Sequence, residues 1–471
     1  MAAMMVCALC AIVMLKPQEF VPFLAGVPLV HICFVLCLAA GAVDIVLGKN
    51  RLSAAPHVPL AIAFFVWGAL VTFVRSPQTF SQEVAASGIV FCVFAAVAFV
   101  SGTGRGVRNV CIAFLASALF ASGVAVLQSE GPLGCMMAAP NDWDARDALE
   151  YDGRPCETSI DCRKDPPVLD ANYRCERVGP FGTSTIGGRV RYRGTLADPN
   201  DLSLAAALAL PIAVALSERN RDGAKDKNGP KNVPGGQFFR SIIMLASIAL
   251  VGTMIVLSQS RMGVLIFLVV LGMALLRRAG LWGVVLGCVL LPPVLLFGGR
   301  DSADAEASSK ERLDLISDAL SMIRRSHGLG VGMGRFADES SNNMTAHNSY
   351  LLAASETGIV GIALFALMLY AAAKVPFALW FGKYELDSQV KRWSPAIAIS
   401  LCGAYVGIFF LSWAYKEILY IMLGLSAALY QAARQANPEF RIGLSTREIL
   451  IVMCVALAFV PVVYASVRIM G

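Results

Sequence analysis

The sequence predicts an all-α fold, a polytopic transmembrane helical bundle of about 12–13 spans with two long extracytoplasmic loops. The first observation is composition: the 471 residues are 57% hydrophobic and 15% charged, with a mean hydropathy of +0.65, whereas soluble domains carry about 25% charged residues. The second is the recurrence of long apolar stretches, which form helices in lipid because each helix satisfies its own backbone hydrogen bonds. The net charge of +6 is modest and does not indicate nucleic-acid binding.

Thirteen apolar segments account for the predicted spans. They are 2–15, 27–47, 58–74, 84–101, 108–128, 200–217, 241–258, 262–276, 280–298, 350–373, 395–413, 417–433 and 447–467. The first is short for a span of about 20 residues, so it is either a tilted helix or the remnant of a longer amino terminus. It lacks a basic start and an A-x-A site, and a removed signal peptide is therefore not expected.

Lys and Arg in the short connections predict the orientation, because cytoplasmic loops carry an excess of both. With the amino terminus inside, the cytoplasmic connections hold the basic groups at 49–51, 105–108, 219–240, 277–278, 374–392 and 434–447. The opposite short connections hold only Lys16, Arg75, Arg261 and Lys416. This asymmetry places the loops 129–199 and 299–349 outside the cytoplasm.

The chain therefore divides into five parts. They are amino-terminal helices (1–128), an extracytoplasmic cysteine-containing loop (129–199), central helices (200–298) with a cytoplasmic linker (218–240), a second extracytoplasmic loop (299–349) and carboxy-terminal helices (350–471). The linker is charged and rich in Gly and Pro, which predicts a flexible connector.

Four of the thirteen cysteines lie together in the loop 129–199, and the other nine lie in apolar segments, where a thiol behaves as a small hydrophobe. The loop cysteines are Cys135, Cys156, Cys162 and Cys175. An even number in a polar loop predicts disulfides in an oxidising compartment. A zinc site is the alternative, but no C-x-x-C pair or nearby histidine supports it. Three pairings are possible, and the sequence does not choose among them.

Basic residues precede the apolar segment 200–217 in the stretch R-V-R-Y-R-G-T-L-A-D-P-N. If this stretch is extended, Arg189, Arg191 and Arg193 point the same way. One interpretation is a helix start capped by Asp198 or Asn200, with incidental arginines. The other is an anion site at the membrane surface, because guanidinium groups bind phosphate oxygens in a bidentate manner. Both interpretations remain open at this point.

A single arginine, Arg261, lies in S-Q-S-R-M-G between two apolar segments. It could be an arginine of a tight outer turn whose charge snorkels to water. However, the turn is minimal, and a lone arginine on the side that lacks basic residues is costly. We therefore favour a functional role for Arg261.

The polar passage 300–358 opens with an amphipathic run at 308–325 and a glycine-rich stretch, H-G-L-G-V-G-M-G-R-F, at 327–336. Ser308 and Glu311 form a capping box, so the run predicts a helix on the membrane surface or over a cavity. The glycines do not form a nucleotide-binding loop, because no strand precedes them. We expect them to allow a close approach of backbone to a ligand.

The same passage ends in H-N-S-Y-L-L-A-A-S-E-T-G at 347–358, where the chain re-enters apolar sequence. A histidine at a helix entrance can be a cap or an interfacial residue. With Glu356 and Gly358 following it, His347 becomes a candidate catalytic residue. The remaining histidines, His31, His57 and His327, are interpreted as structural.

Together these motifs resemble the O-antigen ligase and O-antigen polymerase superfamily, the membrane glycosyltransferases of bacterial envelopes. The matching pieces are R-Y-R-G-T-L-A-D-P-N (191–200), S-R-M-G (260–263), the glycine tract up to Arg335 and Phe336, and 347–358, in that order. The resemblance covers about residues 190–430. The first five apolar segments match only in hydropathy, and the cysteine loop is not a feature of the family. Thirteen spans would leave the carboxyl terminus outside, whereas ligases of this family usually have twelve and end inside.

The resemblance implies a metal-independent transfer of glycan from an undecaprenyl-diphosphate carrier to a saccharide acceptor, on the extracytoplasmic face of the bacterial inner membrane. In it, His347 corresponds to the family's catalytic histidine, and Arg191, Arg193 and Arg261 would bind the diphosphate. The residues expected to support them are Asn348, Glu356 and Arg335. No metal or other cofactor is expected, because fixed cations can stabilise a diphosphate leaving group.

Two acceptors and one different class of function remain open. A ligase transfers to lipid A-core in lipopolysaccharide synthesis, and a polymerase transfers to another repeat unit of a polysaccharide or exopolysaccharide. The implied partners are the lipid-linked donor, the acceptor, the bilayer and other envelope polysaccharide assembly proteins. The alternative class is a transporter or flippase of lipid-linked sugar. Transporters tend to place charges at the midplane and to show inverted repeats, whereas the candidate residues here gather on one face.

Overall fold

A computed structural model describes residues 2–48, 54–138, 150–168, 171–218, 234–280, 282 and 302–470. Within these ranges, eight helices are long and apolar enough to cross a membrane. They confirm the predicted polytopic helical bundle and a multi-pass membrane protein.

Fourteen α-helices occur in the described residues. They are α1 (Ala2–Leu15), α2 (Leu29–Val46), α3 (Val58–Arg75), α4 (Phe80–Val100), α5 (Gly104–Gln128), α6 (Pro199–Ser217), α7 (Pro234–Leu257), α8 (Arg261–Ala279), α9 (Ser302–Arg325), α10 (Phe336–Glu339), α11 (Ser349–Phe381), α12 (Ser388–Gly407), α13 (Glu417–Ala436) and α14 (Thr446–Met470). Helices thus occupy twelve of the thirteen apolar segments, and the segment 280–298, apart from residues 280 and 282, lies outside the described residues. The eight candidate spans are α2 to α7, α11 and α14.

The helix α9 begins earlier than the sequence indicated. It starts at Ser302, six residues before Ser308, so the proposed capping box of Ser308 and Glu311 lies inside the helix and does not mark its start. The preceding residues read S-A-D-A-E-A. Ala and Glu are good helix formers, and acidic residues are favourable in a first turn, which explains why the helix extends upstream.

The chain forms two compact units. Unit 1 contains Met1–Leu9, His31–Cys111 and Arg300–Gly471, and unit 2 contains Cys10–Val30 and Ile112–Gly299. In unit 1, α13 is the central helix: its residues 418–433 are all buried, and it packs closely on α4. Where the two helices are closest, a Cβ on Gly424 would lie 2.7 Å from the Cβ of Val97. Only glycine therefore allows this approach.

The interpretation of His57 as a structural residue fits its surroundings in unit 1. It lies directly before α3 and is fully buried, and its Nε2 lies 3.0 Å from the carbonyl oxygen of Leu423 in α13. Burial lowers the pKa of His57 to about 4, so the ring is neutral at physiological pH. A neutral ring with Nε2 protonated donates to Leu423 and links α3 to α13.

In unit 2, α6 is the central helix. Of the residues in its most apolar stretch, 89% are buried, and the helix packs on α7 and α8. Helix α6 starts where the sequence predicted, at a cap formed by one of the two candidate residues. Asp198 is the N-cap, its Oδ1 accepts a hydrogen bond from the backbone N–H of Asn200 (2.6 Å), and Pro199 is the first helical residue. The cap and the proline define the start of α6, shortly after the arginine segment (residues 189–193).

The cysteine loop contains a small antiparallel sheet that an all-α prediction misses. Its strands are β1 (Leu133–Ala138), β2 (Glu150–Pro155) and β3 (Asn172–Arg177), in the order β2-β1-β3. Disulfides join Cys135 to Cys162 and Cys156 to Cys175. Cys135 and Cys175 face each other in the ladder but bond to different partners. The two bridges therefore connect the sheet to the segment between β2 and β3, where a core too small to be stable alone needs covalent links.

Thiol labelling is expected to separate the loop cysteines from the other nine. In denatured, non-reduced protein, Cys135, Cys156, Cys162 and Cys175 should stay unmodified, and prior reduction should expose all four. Cys454, which is a free and exposed thiol, is the internal control for labelling. Mass spectrometry of the peptides would measure the result, and modification of all four loop cysteines without reduction would contradict the disulfides and the outside placement of the loop.

Candidate active site

In unit 1, α11 is broken at Gly358, ten residues into the helix. Its backbone there has φ 72° and ψ −167°, a conformation that only glycine adopts readily. The helix begins at the predicted motif: Asn348 is the N-cap, and its Oδ1 accepts hydrogen bonds from the backbone N–H groups of Tyr350 and Leu351, both at 3.0 Å. Asn348 thus defines where the short first half of α11 starts, and Gly358 defines where it ends.

The backbone groups released by the break find partners in other segments. Three successive carbonyls accept hydrogen bonds from outside the helix, and the first amide after the break donates to the glycine tract. The pairs are Val331 N to Ser355 O (3.0 Å), Gly332 N to Glu356 O (2.9 Å), Trp67 Nε1 to Thr357 O (2.7 Å) and Ile359 N to Gly328 O (2.8 Å). These bonds stabilise the break, because an unpaired backbone group inside a membrane protein costs several kcal/mol.

The glycine tract is needed for this contact between two backbones. A Cβ on Gly330 would collide with the carbonyl group of Glu356, and a Cβ on Gly358 would collide with the carbonyl oxygen of Gly328. Both glycines also have positive φ, 92° at Gly330 and 72° at Gly358. The sequence predicted that these glycines bring backbone close to a ligand, whereas Gly330 brings the glycine tract close to the backbone of α11.

Glu356 connects the break to the short helix α10. Its side chain is buried (2% exposed), and its Oε1 accepts a hydrogen bond from the backbone N–H of Phe336 at 3.0 Å. The phenol of Tyr415 is also close: burial, and after it the Glu356 carboxyl, raise the pKa of Tyr415 well above its ordinary range. This hydrogen bond ties α10 and the end of the glycine tract to the broken helix α11.

Arg335 lies directly before α10 within a group of charges. Its Nη1 is 2.5 Å from Oδ2 of Asp338, and both residues interact electrostatically with Glu83 on α4. The carboxylate of Glu83 also lies against Gly334, where a Cβ would collide with it. Sequence reasoning missed Glu83, because no motif marks a lone glutamate in the first turn of an apolar helix.

His347 lies two residues before α11 and is half-buried. Its φ is 47°, a left-handed conformation that is uncommon for a residue other than glycine. The hydroxyl of Ser412 accepts a hydrogen bond from the backbone N–H of His347 at 2.9 Å. Strained backbone of this kind persists only where the surroundings hold it, and it occurs often at functional sites.

The loop 408–416 holds the start of α11 through one further residue, Ser349. The Oγ of Ser349 donates to the carbonyl of Leu411 (2.6 Å) and accepts from the backbone N–H of Trp413 (2.6 Å). Its own backbone N–H donates to the carbonyl of Ile408 (2.8 Å). His347 and the first turn of α11 are thus fixed by a loop that lies some sixty residues later in the chain, which sequence spacing alone does not reveal.

In unit 2, the three arginines of the segment 189–193 do not share one set of partners. Arg191 is buried, and its Nε donates to the carbonyl of Ser184 (3.0 Å) while its backbone N–H donates to Oε1 of Gln128 (3.0 Å). Arg193 donates to the carbonyls of Glu19 (2.6 Å) and Phe181. Arg191 and Arg193 thus both donate to the stretch 181–184, whereas Arg189 donates to the carbonyl of Ser258. The expectation that all three arginines point the same way is therefore not met.

Arg261 is the first residue of α8 and is exposed. The turn before it contains only three residues, 258–260, and Gln259 takes φ 51° there. Ser260 is the N-cap of α8, and its Oγ accepts a hydrogen bond from the backbone N–H of Gly263 at 3.0 Å. The sequence correctly predicted a minimal turn, and the structure adds that Arg261 lies at the positive end of a helix dipole.

The same turn contacts the arginine segment through Arg189. The Nε of Arg189 donates to the carbonyl of Ser258 at 2.9 Å, and the backbone N–H of Val190 donates to the carbonyl of Leu257 at 3.4 Å. The family resemblance assigns the diphosphate to Arg191 and Arg193 and not to Arg189. Its position in the alternating R-x-R-x-R pattern was the one available signal.

The fold and these residues define a multi-pass membrane protein with a strained histidine at the start of a broken helix and an arginine at a second helix start. Residues 246–366 match the family model for O-antigen ligase. This match confirms the resemblance to the O-antigen ligase and polymerase superfamily, and the matched range includes Arg261, Arg335, His347 and Glu356. No curated protein matches the chain significantly.

Proposed function

We propose that the protein transfers a glycan from an undecaprenyl-diphosphate carrier to a saccharide acceptor, without a metal, at the periplasmic face of the bacterial inner membrane. The observation that carries the proposal is the O-antigen ligase match at 246–366, which spans both Arg261 and His347. The distribution of Lys and Arg in the short connections supports the outward orientation of both residues.

His347 is the proposed general base. A sugar hydroxyl that attacks an anomeric carbon is activated by loss of its proton, and an imidazole with an ordinary pKa of about 6.5 can accept that proton near neutral pH. The hydrogen bond that the backbone N–H of His347 donates to Ser412 and the cap formed by Asn348 support the role, because a base acts efficiently only when its position is held.

Arg261 is the proposed primary ligand of the diphosphate. Its guanidinium supplies a bidentate donor, and the start of α8 adds backbone N–H groups and the positive end of a helix dipole. These fixed charges stabilise the leaving diphosphate in place of a metal. Arg191 and Arg193, which donate to backbone carbonyls, are proposed to act from the adjacent segment.

The two proposed groups must serve one substrate. A diphosphate ligand and a general base must each come within hydrogen-bond reach of the atoms on which they act, so Arg261 and His347 are proposed to act on the same lipid-linked donor. The acceptor is either lipid A-core or another repeat unit. Both acceptors present a sugar hydroxyl to the same base.

Substituting Arg261→Lys is expected to lower kcat/KM for the lipid-linked donor by about 10²-fold, the effect of removing one stabilising donor from a transition state. Lysine keeps the charge but cannot form the bidentate contact. The matched control is Arg277→Lys at the other end of α8, where both Nη atoms contact Glu218 (2.6 and 2.9 Å). Transfer assays with purified protein would measure both variants, and an active Arg261→Lys enzyme would remove Arg261 from the proposed mechanism.

A further inference from the structure

A hydrogen-bond network around Asn200 joins three segments of unit 2: the arginine segment, the first turn of α6 and the turn between α7 and α8. Oδ1 of Asn200 accepts from two donors, Nη2 of Arg189 (3.3 Å) and Oγ of Ser260 (2.7 Å). A carbonyl oxygen has two lone pairs, so both donors can be served at once. Asn200 is thereby the point at which the three segments meet.

This arrangement determines which hydrogen bond the Ser260 hydroxyl accepts and which it donates. It accepts from the backbone N–H of Gly263 as the cap of α8, so its single proton is available for Asn200. The hydrogen bond that Ser260 donates to Asn200 therefore orients the cap of the helix whose first residue is Arg261. Any movement of Asn200 moves the residue that immediately precedes Arg261.

Two further contacts hold the same turn. Nε of Arg189 donates to the carbonyl of Ser258 (2.9 Å), and the hydroxyls of Ser203 and Ser258 lie 2.8 Å apart. At Gly263, a Cβ would lie 2.6 Å from the Cβ of Ser203, so α6 and α8 approach each other without room for a side chain. The turn is thus held on one side by Arg189 and on the other by α6.

We propose that Asn200 is a positioning residue for Arg261, acting through Ser260, and that Arg189 is its partner on the arginine segment. The inference rests on the proposed function and deepens it: the network serves the diphosphate of the donor and not the acceptor. Without the network, the side chain and backbone of Arg261 would sample more positions, and donor binding would require them to be ordered again.

The expected rise in the donor KM follows from how well Arg261 is positioned before the donor binds. An arginine side chain loses rotamer freedom when it forms a bidentate contact, and an arginine that is already positioned loses less. A shift of about 1 Å in a positioning group can lower the rate by about 10²-fold. Loss of the Asn200 bonds is accordingly expected to raise the donor KM by about 10-fold or more while the acceptor KM stays within about twofold.

The test compares Asn200→Ala, Asn200→Asp and the control Asn109→Ala, in the purified full-length protein. Aspartate keeps an oxygen that can accept from both Arg189 and Ser260, so Asn200→Asp is expected to restore most of the donor affinity. Asn109 is a matched control because it also accepts hydrogen bonds from an arginine, Arg108 (3.3 Å from both Nε and Nη2), but belongs to α5 and to none of the three segments that Asn200 joins. The donor and acceptor KM values of the Asn109→Ala variant should equal those of the wild type.

A second measurement tests the network without any assay of transfer. If Asn200 and Arg189 stabilise the protein through one shared contact, the Tm losses of Asn200→Ala and Arg189→Ala will be less than additive in the double variant. Ordinary additivity of the two losses would overturn the proposed link. The Tm measurement therefore reports on the structure alone.

The outcomes separate the inference from the proposed function. An unchanged donor KM in Asn200→Ala, in a wild-type protein that does transfer glycan, overturns the inference and leaves the function intact. An equal rise in both KM values also overturns it, since that pattern indicates general loss of structure. Absence of any transfer by the wild type refutes the proposed function, and with it the donor role of Asn200, even where the Tm losses are non-additive.

Discussion

His347→Ala is expected to lower glycan transfer by about 10²–10⁴-fold, the contribution of a positioned general base, while the protein still inserts into the membrane. One half-buried residue before a helix contributes little to the stability of the bundle. A second variant, His347→Asn, separates chemistry from backbone strain, because asparagine tolerates the left-handed conformation (φ 47°) that His347 adopts. Both variants should lose transfer to the same extent.

The control for this prediction is His327→Ala. His327 also has positive φ (54°) and is exposed, and the sequence interpretation makes it structural, so its variant should retain transfer within about threefold, in keeping with the small effects of most surface substitutions. Activity in His347→Asn close to that of the wild type would exclude His347 as the base.

The location of the lipid-linked glycan in cells with His347→Ala distinguishes an enzyme from a transporter. If the protein is a glycosyltransferase, the carrier-linked glycan reaches the outer face and accumulates there without being transferred. If it is a flippase, the glycan stays on the cytoplasmic face. Accumulation on the cytoplasmic face alone would reject the proposed function in favour of transport.

Gly358→Ala is expected to lower glycan transfer about as much as His347→Ala does, but by disrupting the local structure and not by removing a catalytic group. The backbone there, φ 72° and ψ −167°, costs about 1–3 kcal/mol for a residue with a Cβ, and the added methyl would collide with the carbonyl of Gly328. The break in α11 and its contact with the glycine tract cannot both survive. We expect loss of transfer together with a lower Tm in detergent.

The matched control is Gly88→Ala on α4. Gly88 is helical, and a Cβ there would have no heavy atom within 4 Å. Alanine is the better helix former by about 1 kcal/mol, so this variant should be neutral or slightly more stable. A Gly358→Ala protein with wild-type Tm and activity would show that the break in α11 is not required.

The cysteine loop shows how far sequence reasoning reached. Four cysteines in a polar loop predicted disulfides, but the sequence did not choose among three pairings. The pairing of Cys135 with Cys162 depends on the register of a three-stranded sheet, and no alternation strong enough to predict that sheet exists in the loop. Short strands that are stabilised by cross-links leave little pattern in a sequence, because their stability does not come from an apolar face.

For Glu356 and Asn348, the sequence identified the residues and the structure supplied their contacts. Their motif marked both as supporting residues, yet spacing could not show that Glu356 binds the backbone of Phe336, twenty residues earlier. Spacing in the sequence could not reveal the hydrogen-bond partner of His347 for the same reason. Ser412 lies sixty-five residues away, and only the packing of the loop 408–416 on α11 brings it near.

The sequence by itself determined the class of protein, the helical segments and the motifs by which it resembles the O-antigen ligase and polymerase superfamily. These follow from local physics: apolar length decides what can cross a membrane, and caps such as Asp198 decide where a helix begins. Only the tertiary structure decided that α11 breaks at Gly358, that Arg189 contacts the turn before Arg261, and that the three arginines have separate partners. Each of these depends on bonds between residues far apart in the chain, and the free energy of such bonds arises only when the folded backbone brings donor and acceptor together.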